Sequence, residues 1–186
     1  VVSAMSFTTS AAKFNDVDAK NEVLADAVDL LNYMGVAQGV SETEFGTEQP
    51  VTRQQFALFI YRLVKGGKNA PKGPNTTAFT DLVDDPYNYA IGWAASKGII
   101  KGTSATTFNP TGNITLQDAY TMVVRALDYE TEETLPYPYG YIEVAEDKGV
   151  TLDKGLNSNI DYTDVLTRGD MAIILYNAFF AQTGVA

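Results

Sequence analysis

The 186-residue chain has no cysteine and no histidine. These absences exclude a disulfide framework, a thiol nucleophile, zinc sites of the usual ligand types and imidazole acid–base chemistry. Positive charge is scarce as well: 13 Lys and Arg stand against 23 Asp and Glu, a formal charge of −10. Phosphate recognition needs clustered cations in excess, so nucleic acid is not an expected partner. No apolar run approaches the roughly 20 residues needed to span a bilayer, and no membrane insertion is expected.

What is present suits a packed interior. The composition is 45% apolar and 19% charged, with 11 tyrosines and 9 phenylalanines, well away from the signature of a disordered chain. Residues 1–13 read as an N-terminal extension or as the remnant of an export signal, because Ser10-Ala11-Ala12 has the small-x-small form of a signal-peptidase site.

The chain repeats itself. Phe14-Asn15-Asp16-Val17 opens one unit and Phe79-Thr80-Asp81-Leu82 a second. In the first, Ala27, Val28, Leu31 and Met34 occupy one helical face before Gly35-Val36-Ala37-Gln38-Gly39; in the second, Ala90, Ile91 and Ala94 precede Gly98-Ile99-Ile100-Lys101-Gly102. A third helix with Tyr141, Ile142 and Ala145 leads to Gly149-Val150. A glycine closing each helix predicts a left-handed C-terminal residue, at Gly35 and Gly98 in particular. Ten residues beyond the first two glycines stand Phe45 and Phe108, and Ile160 is the third unit's counterpart, one position later.

Thr52-Arg53-Gln54-Gln55, Thr115-Leu116-Gln117-Asp118 and Thr167-Arg168-Gly169-Asp170 then follow at 17, 17 and 18 residues from their glycines. Each threonine is a predicted N-cap, with the Gln or Asp three residues on reaching back to it. The helices they start, around Phe56, Met122 and Ile174, are apolar on more than one side and belong at the centre. Glycine, proline and polar residues mark linkers at 65–77 and 128–140, giving units 14–64, 79–127 and 137–180. A unit of roughly 45 residues buries little alone, so the three are expected to share one core.

The ordered set of an F-x-D-V opening, a G-I/V-x-x-G turn, an aromatic and a T-R-x-E-like helix start, recurring over residues 14–180, resembles the S-layer homology domain family. The resemblance implies an all-α fold: three helical repeats forming one pseudo-threefold, three-lobed module around a central three-helix bundle. It also implies non-covalent anchoring to the bacterial cell wall outside the cell. The implied ligand, held in grooves between repeats, is an acidic secondary cell-wall polysaccharide, typically bearing pyruvate on N-acetylmannosamine. The implied setting is a monomeric module within a larger surface protein, with no cofactor and no metal. The sequence departs from the pattern at Leu116, in the third unit's missing F-x-D-V opening, and in the missing second glycine of its turn.

The candidate ligand-binding residues are Arg53, Gln55, Gly35, Trp93, Gly98, Lys101, Arg168 and Asp170. Arg53 and Arg168 begin a helix, where free N–H groups favour an anion, and a planar guanidinium suits a carboxylate. The bland alternative for either is a salt bridge to a neighbouring lobe. Trp93, the only tryptophan, stacks on a sugar ring or fills the core, and Lys101 offers a further cation. Arg62 and Arg125 share one register of the second helices and read as structural contacts. The acidic clusters near Asp16, Asp81 and Asp161 lack the twelve-residue EF-hand pattern and read as turns. Two other functions compete: an S-layer lattice or protein-partner module of the same fold without glycan binding, and a glycosidase using two carboxylates, for which nothing marks a pair.

Overall fold

The computed structural model describes residues 13–73, 77–82, 87–129, 135–152 and 160–182. Residues 1–12, residues 83–85 of the acidic cluster that begins at Asp81, Asp153 and residues 157–159 of the cluster that ends at Asp161 lie outside the described residues. Six helices are found among those described: α1 (Glu22–Tyr33), α2 (Arg53–Lys65), α3 (Asn88–Ser96), α4 (Leu116–Ala126), α5 (Tyr139–Asp147) and α6 (Arg168–Gln182). The fold is all-α, as expected.

The local signals act as the sequence implies. Thr52 forms a full capping box with Gln55, and the Thr115 hydroxyl accepts from the Asp118 amide. Thr167 takes the Asp170 amide at 3.2 Å. Gly35, Gly98 and Gly149 adopt φ of +69°, +70° and +73°. After each glycine the next amide reaches back five residues: Val36 to Leu31, Ile99 to Ala94 and Val150 to Ala145, at 2.8–2.9 Å. These are three copies of one helix-ending motif, which satisfies carbonyls the helix leaves open.

α2, α4 and α6 form the centre, with α2 against both α4 and α6. Phe56, Met122 and Ile174 are buried there. The first helices dock in a way the sequence did not reveal. α3 packs on α2, α5 on α4 and α1 on α6, so each lobe joins the second helix of one unit to the first helix of the next, and α1 on α6 closes the circle. A unit's own two helices are not each other's main partners. α6 also runs two residues past the expected boundary, and Leu135 and Tyr129 of the expected linker pack on the core.

At the middle, the residue before each capping threonine enters a ring. The Val51 amide donates to Leu166, Leu166 to Ile114 and Ile114 back to Val51, at 3.0, 2.9 and 2.9 Å. All three side chains are fully buried. Antiparallel bridges flank the ring at Pro50–Thr167, Thr52–Asn113 and Thr115–Val165. A buried amide without a partner costs about 1–3 kcal/mol, and here each unit satisfies its neighbour.

The F-x-D openings have a structural role. Asp16 accepts the amides of Phe45, Gly46 and Thr47 at 2.7–2.8 Å, and Asp81 accepts those of Phe108 and Asn109. Burial raises the Asp16 pKa, but the N–H groups of Thr47, Phe45 and Gly46 outweigh it and hold the carboxyl below its ordinary value. Phe14 and Phe79 pack on the plugs Phe45 and Phe108, with ring centroids 5.7 and 5.5 Å apart.

Two measurements check this account. In native-state hydrogen exchange the amides of Val51, Ile114 and Leu166 are expected to exchange together and only through global unfolding; separate, faster exchange would mean that the lobes open singly. For Asp16 the folded pKa is the lower one, so its stabilisation is full above the unfolded value near 3.8 and is lost as pH falls through the folded value. The urea midpoint of Asp16→Asn should therefore lie well below that of the unsubstituted chain at pH 6, and the gap should narrow below pH 4. A gap independent of pH would exclude the carboxylate as its source.

Candidate functional site

The helix starts that carry the expected arginines are interlocked with a neighbouring unit. Arg53 and Gln54 donate their amides to Gly112 and Pro110, Leu116 and Gln117 to Asp164 and Tyr162, and Arg168 and Gly169 to Gln49 and Thr47, at 2.8–3.1 Å. The expectation of free N–H groups for an anion at these starts is thereby corrected: the first two amides of each helix are taken by carbonyls of the adjoining unit. Any anion must be held by side chains.

The two arginine side chains adopt one pose. Arg53 Nε donates to the Phe108 carbonyl at 3.0 Å, and its guanidinium lies 4.9 Å from that ring's centroid. Arg168 Nε donates to the Phe45 carbonyl at 2.9 Å, again 4.9 Å from the ring. Their far ends differ. Arg168 is 5% exposed; it donates through Nη2 to the Gln38 carbonyl at 2.7 Å and lies 5.5 Å from Phe59. Burial lowers its pKa, against the attraction of Asp16. Arg53 instead turns Nη1 to Asp118 Oδ2 at 2.8 Å, the salt bridge to a neighbouring unit that was the bland alternative.

Arg53 borders a cavity of about 640 Å³. It is lined by the turn 99–103, the α4 residues Asp118, Thr121, Met122 and Arg125, Leu135 of the expected linker, and Tyr137 and Tyr141 at the start of the third unit. Lys101 is exposed on the rim. Arg125 donates to the Tyr141 hydroxyl at 2.8 Å, with its guanidinium 4.6 Å from that ring's centroid. The Tyr137 hydroxyl donates to Asp118 Oδ1 at 2.9 Å. Burial first, then this bond to Asp118, pushes the Tyr137 pKa up to about 12. Three cationic side chains thus face one space in an acidic protein, and Asp118 is the one carboxylate among its described lining residues.

Of the candidate residues, Arg53 and Lys101 come together at this cavity. Gly98 is just outside it, ending α3, and a Cβ there would meet open space. Gly35 ends α1 beside Lys68, 3.2 Å from where its Cβ would stand. Gln55 and Asp170 are engaged in capping, Asp170 with no exposed surface. Trp93 is half-buried in the α2–α3 lobe, edge-on to Tyr61 at 5.2 Å, with Lys65 Nζ 5.7 Å from its ring centroid.

Sequence reasoning missed Asp118, Tyr137 and Tyr141 as lining residues, and it took Arg125 for a structural contact only. The shared register of Arg62 and Arg125 was the available signal. Arg62 reaches the Val36 carbonyl at 3.3 Å, and Asn177, at the same register of α6, reaches Thr151 at 2.9 Å. Arg125 keeps that register at the cavity wall. Tyr137 carried no signal, since it sits in a stretch that reads as linker.

The profile of the S-layer homology domain matches residues 13–57 and 78–119. The chain is 33% identical over 164 residues to a Cell surface protein of Thermoanaerobacter kivui, covering 87% of this chain and 21% of that protein. It is 26% identical over 178 residues to the Middle cell wall protein of Brevibacillus brevis, covering 95% and 16% respectively. A Surface layer protein of Brevibacillus choshinensis is 27% identical over 164 residues, 85% of this chain and 14% of the relative. The chain therefore spans about a fifth or less of the length of these relatives. With the family profile matching two of the three units, and the glycine-ended first helices and threonine-capped second helices present in the structure, the chain belongs to the S-layer homology domain family.

Proposed function

We propose that the chain is a non-catalytic module that holds a larger protein to the bacterial cell wall, and that it does so by binding an acidic secondary cell-wall polysaccharide. The cell-surface location follows from the family and its relatives. The glycan reading rests on the cavity beside α4, where Arg53, Lys101 and Arg125 converge although the chain carries a charge of −10. Screening over about 8 Å at physiological salt separates this site from distant carboxylates. A pyruvate carboxylate on N-acetylmannosamine suits the guanidinium edge of Arg53 that its bonds to Phe108 and Asp118 leave over, with its sugar ring toward the aromatic wall.

The three register-equivalent positions divide the work. Arg53 faces the cavity, Arg168 is enclosed between Phe45 and Phe59 and holds the third unit to the first, and Leu116 is 2% exposed and has no polar group to offer. Arg53→Ala should therefore weaken binding of pyruvylated glycan about ten- to a hundredfold by calorimetry, as loss of a charge-assisted bond of about 1.5–3 kcal/mol implies. Unchanged affinity would instead favour a protein partner or lattice contact for this face. Arg168→Ala should lower unfolding stability by about 1.5–3 kcal/mol, because it strips buried bonds from the Phe45 and Gln38 carbonyls. A denaturant midpoint unaltered by that substitution would remove its structural role.

A further inference from the structure

Tyr137 combines two properties that rarely coincide. It is 55% exposed, yet its hydroxyl is held from two sides, donating to Asp118 at 2.9 Å and accepting from the Gln117 side-chain amide at 3.0 Å. An exposed tyrosine ordinarily samples several rotamers; this one is held at its tip by two hydrogen bonds, and it lines the Arg53 cavity. With its pKa near 12, the hydroxyl stays protonated across the physiological range and keeps donating. The other oxygen of Asp118 holds Arg53 Nη1 at 2.8 Å. One carboxylate therefore sets the spacing between a guanidinium and an ordered aromatic ring.

We propose that Tyr137 is the stacking platform of this site: its ring receives the apolar C–H face of a pyranose whose acidic substituent lies at Arg53. This rests on the glycan reading above and adds to it the residue that selects a cyclic sugar over a simple carboxylic acid. A sugar ring presents one face of C–H groups, and a flat aromatic already held in place removes that face from water without losing further rotamer freedom. The contribution of the platform is independent of the ligand's charge, whereas that of Arg53 requires it. Acidic and neutral forms of the same sugar therefore separate the two.

The test is calorimetry on the whole chain with pyruvylated cell-wall glycan fragments, before and after removal of the ketal. Tyr137→Ala should weaken binding of both forms by about tenfold, while Tyr137→Phe, which keeps the ring and loses only its tether, should cost about two- to threefold. Arg53→Ala should affect the acidic form alone. If Tyr137→Ala binds both forms as the unsubstituted chain does while Arg53→Ala loses the acidic one, the platform is overturned and the glycan reading stands. If the unsubstituted chain binds neither fragment, both are overturned.

Discussion

The closed cycle of amides through Val51, Ile114 and Leu166 is the constraint on which the remaining structure hangs. Each of the three residues directly precedes a capping threonine, so the ring also fixes where α2, α4 and α6 begin and how they converge. With three members, every donor has an acceptor and none is left over. Removing one unit would leave a buried donor on one neighbour and a buried acceptor on the other, each costing about as much as the bond had contributed. The exchange of first helices between lobes acts in the same direction, because α1 finds its principal partner only in α6, at the far end of the chain. A single unit therefore lacks both its core partner and its backbone partners.

Around that ring, the F-x-D opening and the second glycine of the turn form one device. A Cβ on Gly39 would stand 2.5 Å from the Phe14 ring, and one on Gly102 the same distance from Phe79. The phenylalanine of the opening can lie on its turn only because that glycine has no side chain. The third unit lacks both the phenylalanine and the glycine, which is one departure expressed at two positions. Its plug is Ile160 where the other units have phenylalanine, and the unit still closes through its Gly149 helix end, its Thr167 cap and Leu166 in the ring.

The fold was legible in the sequence to the extent that it is local. Apolar periodicity, helix-ending glycines and capping threonines are decided within a turn or two of chain, and they placed the helices and the central ones correctly. The pairing of α3 with α2 and of α5 with α4 was not legible, since a helix of one unit presents the same apolar face whichever second helix receives it. The central ring was hidden for a similar reason: Val51, Ile114 and Leu166 are three ordinary apolar residues before a threonine, and only closure in space gives their amides a partner. At the site, Arg53 and Lys101 were visible because they sit in a repeating register. Asp118 was visible only as a cap, and Tyr137 sits in a segment with no repeat counterpart, so its place opposite Arg53 emerges only when α5 docks on α4.

Threefold similarity of the backbone therefore does not carry through to the chemistry. At one register the three units supply Arg53, Leu116 and Arg168, and each meets the neighbouring unit through the same pair of main-chain bonds. What differs is the companion one turn along. Beside Arg53 the neighbouring helix supplies Asp118, which draws the guanidinium outward to a partly exposed carboxylate and the cavity beyond it. Beside Arg168 the equivalent residue of α2 is Gln55, occupied in the capping box, so the guanidinium settles on the Gln38 carbonyl in an enclosed space between Phe45 and Phe59. The same side chain thus lines a cavity in one groove and is an internal brace in another, according to whether its neighbour offers a carboxylate or an amide. A repeat protein can in this way keep one scaffold while reserving ligand chemistry for the groove where the companion residue allows it.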